Sequence, residues 1–230
     1  MKKTASPNPS WSIGSKIKSP VDQMVDYDLK KMNQPEVYKL LIGSVVPRPI
    51  AFVSTCNTKG QGNLAPFSFF NVVSSDPPCI MVSITRKNDG SKKDTLLNIE
   101  ATGEFVVNTV AEWMVEPMNQ CSGSYPHGVN EMEVVGLTGI DSIDVKPKRV
   151  KESPIHMECK LEQKVEIGGD HPGASTMVIG RVVRMHIHES AFQEGKIFLD
   201  EIKPISRLAG MSYGATPDTF DIQRPTEVKI

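Results

Sequence analysis

Val45-Val46-Pro47-Arg48-Pro49-Ile50-Ala51-Phe52-Val53-Ser54-Thr55 is followed by a polar turn, then by Asn63-Leu64-Ala65-Pro66-Phe67-Ser68-Phe69-Phe70-Asn71, and closes on Ser74-Ser75-Asp76-Pro77-Pro78. Residues 50–55 are a short apolar run just after a proline, which predicts a strand with Pro at its start. Residues 57–62 hold two glycines, an asparagine and a lysine between apolar runs and read as a hairpin turn. Residues 63–71 are less ordinary. Pro66 stands mid-run, where its missing N–H would break a ladder bond, among Phe67, Phe69, Phe70 and the small polar Ser68 and Asn71. Two readings stay open: an edge strand with a bulge, or a flat backbone surface for a planar ligand.

The rest of the chain bounds what that stretch can serve. Its 230 residues suit one large domain, here residues 21–230, behind a flexible tail over residues 1–20 that is polar and punctuated by Pro7, Pro9 and Pro20. With 39% hydrophobic and 23% charged residues a sizeable core can form. A net charge of −1 draws the chain to neither nucleic acid nor anionic membrane. No apolar run reaches membrane-span length, and no apolar segment follows Lys2 and Lys3 to make a secretory signal. Cys56, Cys79, Cys121 and Cys159 share no short spacing, which excludes a CxxC motif and fits reduced thiols in the cytoplasm.

A helix is expected over residues 34–41 with Pro35 at its first turn, and a buried strand over 79–85, entered through Asp76-Pro77-Pro78. A polar stretch then leads to a helix over 95–101, capped by Asp94 or Ser91 and ended by Gly103. Arg86, Lys92 and Lys93 surround that helix start. It reads either as a solvated basic loop or as a phosphate site to which Thr95 adds a hydroxyl. Strand 104–110, a helix over 113–121 kinked at Pro117 and a capped turn from Asn130 to Val135 follow. His127, in the loop between them, is either exposed or part of a pocket. The alternation over 155–167 puts His156, Glu158 and Lys160 on the wet face, and residues 177–187 put Met177, Ile179, Val183, Met185 and Ile187 on one face. These two form a long hairpin whose glycine-rich mouth carries His171. His186 and His188, on one strand face, offer either two metal ligands or a polar surface. Residues 205–225 lack periodicity and read as a segment wrapping the barrel mouth or a partner. Many strands with few short helices argue a mainly β barrel, antiparallel and of Greek-key type.

Four pieces in order resemble one known family: Arg48 to Thr55, Asn63 to Phe70, Asp76-Pro77-Pro78 and Lys93-Asp94-Thr95. Over about residues 38–220 the chain is similar to the flavin-reductase-like proteins with an FMN-binding split β-barrel. The resemblance implies an FMN-binding oxidoreductase of NAD(P)H:flavin reductase type. In it the backbone of Asn63, Ala65, Pro66, Phe67 and Ser68 holds the isoalloxazine ring. Ser54 and Thr55 would meet the ribityl or phosphate, and Thr85, Arg86, Lys93 and Thr95 the phosphate loop. Arg48 would add charge near the flavin, and Tyr213 would stack near the ring or merely pack on the surface. The resemblance places His171 near the flavin or the nicotinamide, although Pro172-Gly173-Ala174-Ser175 is an added stretch here. It also implies a homodimer with FMN at the interface and a partner monooxygenase. The chain has no Gly-x-Gly-x-x-Gly after a strand, so NADH or NADPH would dock over the flavin as a transient co-substrate. The other reading is a carrier or sensor, binding flavin or heme without turnover.

Overall fold

Residues 2–21 and 23–226 are described by the structure, a computed structural model. Met1, Asp22 and residues 227–230, which fall in the expected tail and at the ends of the expected domain, lie outside the described residues. Seven strands rich in β-branched and aromatic residues carry the fold: β1 (Ala51–Cys56), β2 (Gly62–Phe67), β3 (Phe70–Ser75), β4 (Pro78–Thr85), β5 (Glu104–Thr109), β6 (Ile155–Ile167) and β7 (Ser175–Ile187). They pair in the order β2-β1-β5-β6-β7-β4-β3, every neighbour antiparallel. The two edge strands, β2 and β3, are consecutive in sequence and separated only by Ser68 and Phe69. The sheet therefore curls on itself and parts at that corner, the mainly β split barrel that the sequence led us to expect.

Strand β1 has no wet face. Ala51 and Val53 pack inside the barrel with Phe105, Val107, Ile80 and Val82, while Phe52 packs outside with Leu64, Met114, Met118 and Val150. Leu96 and Ile99 of helix α2 (Asp94–Thr102) plug the interior. The outer layer is supplied by α3 (Val115–Gln120) and α4 (Glu131–Val134), together with the crossing at Val150. Helix α1 (Gln34–Ser44) precedes the barrel and carries the expected proline plus a capping box between Asn33 and Glu36. A short helix, α5 (Leu199–Ile202), precedes a small sheet in which Ile205–Arg207 pairs with both Arg48–Pro49 and Tyr213–Ala215. At the other end of the chain, Lys2–Lys3 pairs in parallel with Asp218–Thr219.

Several expectations need correction. The run 63–71 is two strands, so Phe67 and Phe70 both reach the interior from different strands, and none of Phe67, Phe69 and Phe70 is exposed. The expected helix over 113–121 begins as a 3₁₀ turn, Glu112–Met114, before α3. Lys93, not Asp94 or Ser91, occupies the N-cap position of α2, without a side-chain cap. On β7 the interior face is Thr176, Val178, Gly180 and Val182, one residue out of register with the apolar set chosen from the sequence. Phe105 decides this: a Cβ at Gly180 would collide with its ring, so the glycine must face inward there. Val183 is consequently exposed, as is Met185 beyond the irregularity that follows.

His156 and Glu158, expected in water, are buried because the segment before β6 lies over them. Glu158 accepts Ile143 N–H at 2.9 Å, Asp144 N–H at 2.6 Å and His186 Nε2 at 2.6 Å. Asn108 of β5 donates through Nδ2 to Phe52 O and Ser54 Oγ, so its Oδ1 accepts from Val150 N–H and from His156 Nδ1, each at 2.9 Å. His156 is thus held neutral with its proton on Nδ1, and burial first, then Arg149, pulls its pKa down to about 4. A histidine that titrates near 6.5 when unfolded and near 4 when folded contributes fully above 6.5 and loses that contribution as pH falls. We expect unfolding free energy to drop by about 3 kcal/mol between pH 6.5 and 4 from this group. Urea titrations across that range should show the slope, and His156→Gln, which keeps an N–H for Asn108, should flatten it.

Candidate functional site

Between the outer edge of β2, the start of α2 and the loop of residues 121–125 lies a cavity of about 190 Å³. Five expected site residues line it: Asn63, Ala65, Pro66, Lys93 and Thr95. Their placement follows from the strand period. Leu64 N–H points outward from the edge, to Glu131, so the next outward position is Pro66, which has no N–H to leave unpaired. An edge is where proline is tolerated, and here it makes the edge a smooth wall.

The polar floor is a buried amide–hydroxyl cluster. Asn63 Nδ2 donates to Thr95 Oγ1 at 2.9 Å and to Thr55 Oγ1 at 3.3 Å, and Asn98 Nδ2 donates to Thr55 Oγ1 at 3.1 Å. Thr95 therefore accepts from the protein while its own proton has no protein acceptor among the described residues. Lys93 sits 5.4 Å above the Phe67 ring, and among the described residues it has no carboxylate partner. Burial, then Lys87, pushes its pKa down. An unpaired, half-buried ammonium at an uncapped helix start is a site short of an anion, and a phosphate fits that need. Asp94 on the first turn would oppose it. Burial alone would raise the Asp94 pKa, but His127 Nδ1 at 3.0 Å and Lys87 at 3.5 Å hold it below the usual carboxylate range. His127 is thus the exposed partner of Asp94 and does not itself line the cavity.

The remaining expected residues are placed elsewhere or are committed to the fold. Arg48 is buried, and its guanidinium donates to Ile42 O and Val45 O, both at 2.6 Å, to Leu208 O at 3.0 Å and to Ser68 Oγ at 3.3 Å. It ties α1, the strand corner and the C-terminal segment together, with Ser68 as one of its acceptors. Ser54 gives its hydroxyl to Lys148 O at 2.6 Å. Thr85 is bonded to Ser175 Oγ at 3.1 Å. Arg86 binds Asp170 Oδ1 at 2.5 Å, Gly169 O at 2.9 Å and Gly90 O at 3.1 Å, which fastens the 168–171 turn to the loop before α2. His171 rides on that turn, exposed, with Nδ1 2.9 Å from Pro172 O, and does not line the cavity. Tyr213 donates to Asn119 Oδ1 at 2.8 Å and lies under Arg207 at 4.6 Å, on the outer core. His186 is bound to Glu158 and His188 to Ser190, and the described residues contain no group of three potential metal ligands. A second, open cleft of about 970 Å³ shares Asn63 with the cavity, but of the expected residues it adds only Ser54 and Thr55. The smaller cavity is the better candidate because it collects more of the expected chemistry. Sequence reasoning missed Lys87, Glu131 and the 121–125 loop. Only tertiary folding brings these to the β2 edge, and no local motif marks them.

A seven-stranded antiparallel sheet opened at a two-residue corner defines a split barrel. The chain belongs to the flavin reductase-like domain family, whose model matches residues 42–203. It is 45% identical over 196 residues to an uncharacterized protein of Halalkalibacterium halodurans, covering 85% of this chain and 94% of the relative. Nitrilotriacetate monooxygenase component B from Bacillus cereus superposes with a TM-score of 0.84 at 40% identity, covering 88% of this chain and all (100%) of the other. The 2-nitrobenzoate 2-nitroreductase NbaA of Pseudomonas fluorescens superposes with a TM-score of 0.79 at 32% identity, over 90% and 99% of the two chains.

The hydrogen bonds of Arg48 assign it to the fold, and Arg48→Ala tests the assignment. Leaving buried carbonyls without a donor should cost about 2–3 kcal/mol in urea unfolding, while flavin affinity of the folded fraction changes less than about twofold. A large affinity loss at unchanged stability would return Arg48 to the site.

Proposed function

We propose that this protein binds FMN, takes electrons from NADH or NADPH, and hands them to a second flavin or another small acceptor. The observation that carries the reading is Lys93, an unpaired ammonium on the cavity wall opposite the β2 edge, with the α2 start behind it. The flavin supplies the redox chemistry when bound. The protein binds and orients it, with the Asn63–Thr95 pair and the wall at Ala65 and Pro66 positioning the ring and chain, and Lys93 the phosphate. NADH or NADPH would dock over the bound flavin as a transient co-substrate. The relative named monooxygenase component B supports delivery of reduced flavin to a partner oxygenase, and the relative named nitroreductase supports a small nitro compound as acceptor. Four unpaired cysteines agree with a cytoplasmic protein.

A homodimer would fit the same reading. Binding pockets for ligands of this size run from roughly 300 Å³ upward, so a cavity of about 190 Å³ is part of a site. Val72 and Val73 leave an apolar face at the β3 edge, 67% and 50% exposed. A second copy laid on this face would cover it and complete the pocket. A carrier without turnover is the second reading, favoured by the place of His171 outside the cavity lining.

Three measurements decide among these. The purified chain should bind FMN in preference to riboflavin, and Lys93→Ala with Thr95→Ala should weaken FMN at least tenfold while riboflavin changes little; equal losses would move the phosphate elsewhere. NADH or NADPH should bleach the yellow protein anaerobically, and a failure of both to do so supports the carrier. Val73→Glu, or dilution, should yield monomers in light scattering and release FMN with the partner; a monomer with FMN fully bound would sink the dimeric site.

A further inference from the structure

Glu131 opens α4 against the outer edge of β2 and is only 8% exposed. Its Oε2 accepts Leu64 N–H at 2.8 Å, and among the described residues no other residue hydrogen-bonds or ion-pairs with the carboxyl. A neutral amide would satisfy one edge N–H as well, without burying a charge. An ionised carboxylate here would be unpaired and would face Asp94, which lines the same cavity. Burial is the largest influence on the Glu131 pKa and pushes it up; Leu64 N–H and then its own backbone N–H oppose the rise, and Asp94 adds a smaller upward push.

The surrounding groups leave Glu131 its proton. Lys87 and His127 are engaged with Asp94, and Lys93 lies over Phe67. Cys121 is driven up to about 12, by burial and then by Glu131, so it stays a neutral thiol. Two carboxyls in one cavity are thus pulled apart, Asp94 toward the ionised form and Glu131 toward the neutral one, a division that separates acid from base in many sites. With Oε2 taken by Leu64 N–H, the proton of the neutral acid belongs on Oε1, which has no hydrogen-bond acceptor among the described residues, and Glu131 lines the cavity.

We infer that Glu131 is the proton donor of this cavity, serving the reduction of the acceptor there; this rests on the flavin-reductase reading. Converting an acceptor A to AH₂ takes two electrons and two protons. The nicotinamide contributes a hydride, which is both electrons and one proton, so the site must supply the second proton. Glu131 supplies it: the Oε1–H bond breaks as the new bond to the reduced acceptor forms, and the carboxylate regains a proton from solvent before the next turnover. Its role differs from that of Lys93, which holds charge and moves none.

Glu131→Gln keeps an acceptor for Leu64 N–H and nearly the same volume, but it has no acidic proton. In stopped flow, the FMN-loaded variant should be reduced by NADH within about twofold of the wild-type rate. Its transfer to a quinone such as menadione should fall by roughly 10²–10⁴-fold and lose its pH dependence. Carboxyl ¹³C NMR on wild-type protein without flavin, with the signal assigned by its loss in the variant, should show Glu131 protonated at pH 7. That second readout stands even if the variant folds poorly. An ionised Glu131 at pH 7, or a variant that reduces menadione at the wild-type rate, overturns the inference while leaving flavin binding intact. A wild-type protein that takes up no flavin overturns the functional reading itself, and this role with it.

Discussion

A curled sheet has two edges, and each edge carries backbone groups that must find partners or water. In this fold the edge of β2 is buried against α4 and the start of α2, so its outward groups have to be satisfied one by one. Leu64 N–H meets Glu131, and the next outward position is Pro66, which has no N–H to satisfy. This solution fixes what else can stand there. The wall between Glu131 and Lys93 has to be smooth and narrow, and the cavity that results is lined by backbone and small residues more than by large side chains. The same edge that would otherwise invite pairing with another strand instead walls the candidate cavity.

The second constraint is the hub at Asn108. One amide binds β1 through Phe52 and Ser54, the strap at Val150, and His156 on β6. Because all four of its bonds lie in a buried site, each is worth more than on the surface and each leaves a costly orphan if broken. The hub holds the segment before β6 across the outer face of β1, and that cover is what buries β1 on both sides. The barrel interior, the strap and the candidate cavity are in this sense one construction, since β1 pairs directly with β2 along Ala51–Cys56.

Charge is distributed with a similar economy around the cavity. Lys92 is paired with Glu100 at 2.8 Å and Arg86 with Asp170, so two of the three basic groups that crowd the start of α2 in sequence are spent on the protein itself. Lys93 is left, and its isolation marks the site more sharply than the basic run does. Asp94, Lys87 and His127 form a compensated set, which keeps a carboxylate at the helix start from cancelling the field at Lys93.

Local chemistry in the sequence was enough to determine the strand-rich class, the hairpin at residues 57–62, the α2 helix with its left-handed Gly103, and the edge character of the Pro66 segment. Each of these rests on a constraint that acts within a few residues: a missing N–H, a positive φ, a period of two. The sequence also brought Asn63, Lys93 and Thr95 into view, because they sit beside those signals. Tertiary packing alone decided the rest. Phe105 set which face of β7 turns inward, since the size of a distant ring and not the alternation of β7 chose the position of Gly180. His156 and Glu158 became buried because the segment just before β6 folds back over them, and Arg48 became a brace because three carbonyls from α1 and the C-terminal segment converge on it. Glu131 reached the cavity for the same reason: only the fold could place a carboxyl, 67 residues away in sequence, against the outward N–H of Leu64 on β2.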